Sequence, residues 1–261
     1  MIKYNIQDHV IVITGAAGQL GQAIVSRAIS LGAKVACLDT SLENLEKISI
    51  SNGWGDSVLL FQSDITNKES IELTFNQIVN KYNKIDALIN NAGVSVFDPW
   101  FDRNEEDFDW VMNVNLKGTF NCMKEFFKLL IDSNYPGAVV NVASHYGIIS
   151  PDPKIYTDCD RRNSEIYGAT KAGVIQMTKY FAVNAIADGA KVRVNAIAPG
   201  GIKNSASPQG DDFQRLYSER CPMKRMAEVD EIVGPILFLV SSDASYINGQ
   251  TIVIDGGMTA W

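Results

Sequence analysis

The chain has 261 residues, 46% hydrophobic and 20% charged, a balance that folds around a core and is too apolar for a disordered chain. Its formal net charge of −7 repels phosphate backbones, which argues against nucleic-acid binding as a main role. The best apolar run, Ile232 to Val240, is too short for a bilayer and carries Gly234 and Pro235, so no membrane span is expected.

Taken in chain order, strand-like and helix-like segments alternate. Val10–Thr14 predicts a strand, and the GAAGQLGQAI that follows turns into a helical pattern over Leu20–Leu31. Next come a strand at Lys34–Asp39, a helix at Leu42–Ile48, a strand at Ser57–Gln62 and a helix at Asn67–Tyr82. A strand at Asp86–Asn90, a long helix at Glu105–Ile131 and a strand at Ala138–Val142 continue the rhythm. It closes with a helix at Glu165–Ala187, a strand at Lys191–Ala196, a helix at Glu228–Ser241 and a strand at Thr251–Ile254. Short β-branched strands separated by helices predict right-handed crossovers. The expected fold class is α/β: one doubly wound parallel sheet of Rossmann type, about seven strands, with helices on both faces and residues 1–261 forming one domain. Two stretches fit poorly: the polar 150–164, and 202–224 with a short helix at Asp211–Arg220. Long loops of this kind are either functional or surface decoration.

Cys37, Cys122, Cys159 and Cys221 are scattered without a C-x-x-C pair and read as reduced thiols of a cytoplasmic protein. The N-terminus has no leader-like apolar run. His9 and His145 are the only histidines, too few for most zinc sites, so no metal is expected; His9, just before the first strand, is expected to be solvated.

Gly15, Gly18 and Gly21 stand at a strand–turn–helix junction, where glycines allow a tight turn and bring backbone amides near a phosphate. Asp39 ends the second strand, 18 residues beyond Gly21. A carboxylate there accepts from both adenosine ribose hydroxyls and repels a 2′-phosphate, which favours NAD over NADP.

With these residues in place, the chain resembles the short-chain dehydrogenase/reductase family over nearly its whole length. The landmarks run in order: TGAAGQLG, Asp64 after the third strand, NNAG at Asn90–Gly93, VNLKG at Val114–Gly118, VASHYG at Val142–Gly147, YGATK at Tyr167–Lys171, NAIAPGGI at Asn195–Ile202 and DGG at Asp255–Gly257. Ordinary-length members carry T-G-x-x-x-G-x-G; here the spacing is T-G-x-x-G-x-x-G, as in the longer sugar-nucleotide branch, so Gln19 stands where a glycine is usual. The length and the C-terminal motifs match the ordinary-length branch.

The resemblance implies a catalytic set of Asn115, Ser144, Tyr167 and Lys171. Ordinary tyrosine has a pKa near 10, so phenolate at neutral pH requires about 4 kcal/mol of differential stabilisation. Lys171, one helical turn from Tyr167, supplies a cation for it. By resemblance, Lys171 also binds the nicotinamide ribose, Ser144 hydrogen-bonds the reacting oxygen, and Asn115 holds a water linking Lys171 to solvent. The implied NAD contacts are Gly15, Gln19, Leu20 and Gly21 in the turn, Asp39, Asp64 and Ile65 at the adenosine, and Asn91, Ala92 and Gly93 beyond it. Pro199, Gly200 and Ile202 hold the nicotinamide amide. Asn204 stands where threonine is common.

His145 follows Ser144, but neighbours on an extended chain point apart and no G-x-S-x-G elbow exists, so a serine hydrolase is not expected. His145 either lines the substrate pocket or is a loop residue. The interval from Ser144 to Tyr167 is 23 residues, longer than in ordinary members, and carries Tyr156, Asp158, Asp160, Arg161 and Arg162. Arginines there bind a phosphate or carboxylate, and aspartates suit sugar hydroxyls; a solvated charged loop is the alternative. PDPKIY resembles members associated with bacterial surface-sugar or flagellin-glycan biosynthesis.

The leading expectation is an NAD-dependent oxidoreductase acting on a secondary alcohol or ketone of a polar, sugar-derived small molecule. A sugar-nucleotide epimerase or dehydratase with internally recycled NAD, and a non-catalytic NAD-binding subunit, are the alternatives. The family habit of pairing through its long central helices implies a homodimer or homotetramer.

Overall fold

The computed structural model describes residues 4–157, 162–204 and 209–261. Seven strands, β1 (Val10–Thr14), β2 (Lys34–Asp39), β3 (Val58–Gln62), β4 (Ala87–Asn90), β5 (Gly137–Val142), β6 (Val192–Pro199) and β7 (Thr251–Ile254), pair in parallel in the order β3-β2-β1-β4-β5-β6-β7. The helices are α1 (Gln19–Ser30), α2 (Leu42–Asn52), α3 (Lys68–Tyr82), α4 (Glu105–Met112), α5 (Thr119–Ser133), α6 (Glu165–Ala187), α7 (Asp211–Arg220) and α8 (Val229–Val240).

The strands read as unbroken apolar runs because both of their faces are covered. Along β1, Ile11 and Ile13 join Val35 and Cys37 of β2 beneath α1, α2 and α8, where Ile24, Leu45 and Ile236 pack. The alternate residues, Val10 and Val12, join Ala36 and Leu38 on the other face against Phe75 of α3 and Phe126 of α5. This period of two is what a parallel sheet between helix layers demands. Among the described residues no helix is long and apolar enough to cross a membrane.

From β1 the chain winds outward to β3, then returns to lay β4 on the other side of β1. Connections leaving β1 and β4 diverge, so a crevice opens at their carboxyl ends, the place where open α/β sheets take ligands.

Three local expectations need correction. The long helix expected over Glu105–Ile131 is interrupted by a π-helical turn at Asn113–Gly118, between α4 and α5. The turn carries Asn115, whose side chain is held sideways by the Val94 backbone, while Thr119 Oγ1 donates to the Asn115 carbonyl at 2.8 Å; such insertions favour functional sites. Second, β6 runs on to Pro199, because Ile197, Ala198 and Pro199 pair with Ile252, Val253 and Ile254. Third, His9 is half-buried, not solvated. Its Nδ1 has no hydrogen-bond partner, and burial lowers its pKa.

Candidate active site

A cleft of about 510 Å³ occupies the crevice at the ends of β1, β2 and β4. Its floor is the glycine turn. Gly15 has a φ of +64°, and a methyl group there would lie 2.7 Å from Ala92 Cα; at Gly21 it would lie 2.3 Å from the Gly15 carbonyl oxygen. Both positions therefore need glycine, whereas at Gly18 the nearest atom is 3.4 Å away. The turn is stapled to β4: the Asn91 and Ala92 amides donate to Thr14 Oγ1, each at 3.1 Å, and Asn91 Nδ2 donates to the Thr14 and Gly15 carbonyls at 3.0 and 2.9 Å.

Gln19 is accommodated because it opens α1 and its side chain reaches away, Nε2 donating to the Lys203 carbonyl at 2.6 Å. That bond links the turn to the 202–224 segment. Asp39 Oδ2 accepts the Ala17 amide at 3.0 Å, which holds the carboxylate against the turn at the cleft wall. Asp64 Oδ1 accepts from the Thr66 amide and hydroxyl, both at 2.8 Å, and Ile65 packs on Gly118 of the π-helical turn. Leu20, Asp64, Ile65, Asn91, Ala92 and Gly93 all line the cleft, as do Thr40, Ser63, Thr66, Val94, Trp110 and Val114, which sequence reasoning missed. Among the described residues no lysine or arginine lines it.

These residues fit a dinucleotide. Gly15 and Gly21 let the turn close tightly on Ala92 and on itself, the start of α1 opens at the cleft, and the Asp39 carboxylate stands in the cleft wall where a ribose would be held.

Beside the cleft lie the four expected catalytic residues. Ser164 caps α6, its hydroxyl accepting the Tyr167 amide at 3.2 Å, and so sets the tyrosine in the first turn. Tyr167 shares a side-chain hydrogen bond with Ser144, whose Oγ also accepts the Tyr146 amide at 3.1 Å. One turn on, Lys171 Nζ donates to the Val142 carbonyl at 2.8 Å and lies 5.5 Å from the Tyr167 ring centroid. Asn115 is buried: its Oδ1 accepts the Val94 amide at 2.8 Å, and its Nδ2 donates to the Val94 carbonyl at 2.9 Å and to Thr170 Oγ1 at 3.2 Å. A methyl on Gly93 would lie 3.3 Å from Lys171 Nζ and 3.4 Å from Asn115 Oδ1, which puts both side chains against the cleft.

Burial sets the cost of forming phenolate at Tyr167. Burial raises the Tyr167 pKa, and the Ser144 hydrogen bond only partly opposes it, so these groups by themselves hold a neutral phenol. Burial also pushes Lys171 down to about 8. Protein burial thus works against both charges, and stabilising phenolate falls to added positive charge near the hydroxyl.

Ser144 and Tyr167 also line a second cavity of about 470 Å³. Phe97, Tyr146, Tyr156, Phe213, Tyr217 and Met226 form much of its wall. Of the expected nicotinamide contacts, Gly200 and Ile202 line it; Pro199 is buried behind, its carbonyl bonded to His145 Nδ1 at 3.0 Å. A carbonyl only accepts, so Nδ1 carries the proton and Nε2 is an acceptor. Burial, the largest cause, lowers the His145 pKa and keeps the ring neutral. His145 lines the cavity with its Nδ1 side anchored to the Pro199 carbonyl.

The remaining expected substrate residues separate. Tyr156 is in the wall. Arg162 lines an outer groove, and Asn204 lies in a small depression beside Gln19 and Lys203, its amide donating to Gln209 Oε1 at 3.3 Å. Arg161, with Asp158, Cys159 and Asp160, lies outside the described residues. The aromatic wall was missed, although Phe213 and Tyr217, four apart on a helix inside a long loop, carried a signal, as did Tyr146 within VASHYG.

Residues 15–259 match the family model described as enoyl-(acyl carrier protein) reductase. The chain is 36% identical to the 3-oxoacyl-[acyl-carrier-protein] reductase FabG of Thermotoga maritima, over 97% of this chain and 99% of that one. It is 34% identical to the 7α-hydroxysteroid dehydrogenase of Bacteroides fragilis, over 97% and 95%. Among solved structures, a short-chain dehydrogenase from Leptospira borgpetersenii with bound NAD+ superposes with a TM-score of 0.88 at 37% identity, covering 99% of this chain and 97% of that one. Sheet order, motif order and these matches agree, and the chain belongs to the short-chain dehydrogenase/reductase family of oxidoreductases.

Proposed function

We propose that the chain is an NAD-dependent dehydrogenase/reductase that interconverts a secondary alcohol and a ketone, with Tyr167 as acid and base. The observation that carries this reading is the meeting of two spaces at one cluster: Lys171 and Asn115 stand against Gly93 of the cleft, while Tyr167 and Ser144 line the cavity. NAD, when bound, supplies a hydride acceptor, and NADH a donor. In oxidation Tyr167 takes the proton of the substrate hydroxyl as the carbinol carbon gives up its hydride; in reduction it returns a proton to the carbonyl oxygen. Ser144 holds that oxygen by hydrogen bonding. Lys171 is mostly cationic at neutral pH, since its pKa lies near 8, and its charge favours the phenolate form of Tyr167. Asn115 acts as a positioning residue that fixes the loop after β4, at Val94, against Thr170 of α6.

In this reading the glycine turn with Gln19 and Leu20, the strand-end residues Asp39, Asp64, Ile65, Asn91, Ala92 and Gly93, and the Pro199–Ile202 segment hold NAD, together with Tyr167 and Lys171. Preference for NAD over NADP is supported by Asp39 in a cleft whose described lining lacks a cation. A polar, sugar-derived substrate is the second reading; its support is the charged rim formed by Asp98, Arg162 and Glu165. Residues 1–261 act as one domain. Exposed Phe120, Tyr180, Val183 and Ile186 on α5 and α6 support a homodimer or homotetramer, and the free, buried Cys37, Cys122 and Cys221 fit a reducing cytoplasm.

The test is a panel of cyclic, polyol and sugar alcohols with NAD+, followed at 340 nm. Net NADH formation is expected, falling by about a thousandfold or more in Tyr167→Phe while NADH affinity stays within about twofold. Full activity in that variant overturns the role of Tyr167. Substrate interconversion without absorbance change assigns the chain to internal NAD recycling instead.

A further inference from the structure

Gln19 places a long amide in the glycine turn where the family usually has glycine. The residue opens α1 at the edge of the cleft, and its Nε2 donates to the Lys203 carbonyl at 2.6 Å. The segment that carries this carbonyl is held on several sides. Gly201 donates its amide to the Tyr217 hydroxyl at 2.6 Å and accepts the Ala227 amide at 2.9 Å, and the Lys203 amide donates to the Ala227 carbonyl at 2.9 Å. The Lys203 ammonium lies 2.6 Å from a Glu228 oxygen. The Gln209 side chain bonds the Ile202 carbonyl at 2.9 Å and the Asn204 amide at 3.3 Å. Ala227 and Glu228 lead into α8, which packs with α1 in one apolar layer holding Ile24 and Ile236. Both ends of the Gln19 bond are therefore fixed through backbone, and rotation of the glutamine side chain is enough to open it.

The bond stands where the two spaces of the site adjoin. Gln19 lines the cleft on one side and, on the other, a depression of about 360 Å³ that it shares with Lys203 and Gln209. Gln209 in turn lines the second cavity, together with Ile202. The bond thus joins the wall that begins at the glycine turn to the wall that follows β6, and it is exposed to solvent. In the reading above both walls hold NAD, so the coenzyme lies against the two segments that this bond ties together.

We infer that Gln19 is a positioning residue that straps the site: its bond to Lys203 closes on the solvent side of the coenzyme and opens for the coenzyme to enter or leave. This rests on the NAD reading above and adds a control on coenzyme exchange. A direct contact with the coenzyme slows its release alone. A strap that closes in the same way over the empty and the occupied site slows entry and release together, and leaves the affinity nearly unchanged. Side-chain rotation is much faster than coenzyme exchange, so both rates scale with the open fraction. One exposed amide–carbonyl bond favours the closed arrangement by about fivefold, which sets the size of both effects.

The experiment is stopped-flow fluorescence of NADH with the full chain, association and dissociation measured separately and Kd taken independently by calorimetry. Gln19→Met keeps the length of the side chain and loses the donor; Gln19→Asn keeps the amide and loses the reach. Both are expected to raise the association and the dissociation rate by about fivefold, with the NADH Kd within about twofold of the parent. Faster dissociation alone, with Kd rising in step, makes Gln19 an ordinary coenzyme contact and overturns the strap. Unchanged rates overturn it too, as does slower association with weaker binding, the result of a merely structural role. Each of these leaves the NAD reading intact. Failure of the parent chain to bind NADH overturns both.

Discussion

At the cofactor cleft, Thr14 to Gly21 lie within eight consecutive residues, and their partners Asp39 and Asn91 stand at the ends of strands bordering β1. At the second cavity, Phe97, Tyr156, Phe213 and Met226 come from three separate loop regions and one helix. The cleft is made by backbone: amides, carbonyls and the absence of side chains. The cavity is made by side chains that fill space. A cleft of the first kind accepts one sort of ligand and tolerates little change, and a cavity of the second kind can be re-lined without disturbing the sheet.

Substitutions should divide along that line. The largest effect is expected for Gly21→Ala, whose new methyl group meets backbone atoms at 2.3 and 2.8 Å. The turn must open, which is expected to cost about 3 kcal/mol and more than about a hundredfold in NAD+ affinity, read by calorimetry and thermal melts. Unchanged NAD+ binding would break the comparison at its firmest point.

Lys171 tests the seam between the halves. Its folded pKa near 8 lies below the ordinary 10.5, so the unfolded chain binds more protons between these values and stability contributed by this residue rises with pH across that window. The rise amounts to at most about 3 kcal/mol. Lys171→Met is expected to abolish turnover and to flatten that part of the pH–stability curve, measured by denaturant unfolding from pH 7 to 11. A variant with the same slope as the parent would show that the ammonium is hydrated, not buried.

A smaller effect is expected for Asp39→Ala. Loss of a carboxylate acceptor should weaken NAD+ by about 2 kcal/mol, roughly thirtyfold, and NADP+ much less, since the repulsion of its 2′-phosphate disappears too. Equal weakening of both would remove Asp39 from cofactor selection.

Most of the sheet was legible because burial on both faces leaves a periodic trace: β1, β2 and β7 keep the bounds expected from their apolar runs. The break at Asn113–Gly118 left no such trace. An interruption that preserves helical spacing of apolar residues is invisible to periodicity, and it becomes visible only when Asn115 is seen bonded to Val94, 21 residues away in sequence. In the same way, the departure at Gln19 looked like a defect of the glycine pattern. Its side chain reaches Lys203, 184 residues along the chain, a partner that spacing does not reveal.

By itself the sequence determined the α/β class, the cleft with its glycines and Asp39, and the ordered Ser144, Tyr167 and Lys171, because each depends on local backbone geometry or on position at a strand end. Only the tertiary structure decided which aromatic rings wall the cavity, that His145 spends its proton on Pro199, and that Arg103 is engaged by Glu165. It also decided that burial raises the Tyr167 pKa, partly opposed by the Ser144 hydrogen bond. Burial and ion pairing are properties of surroundings assembled from distant segments, and a residue's type or its neighbours in sequence do not contain them.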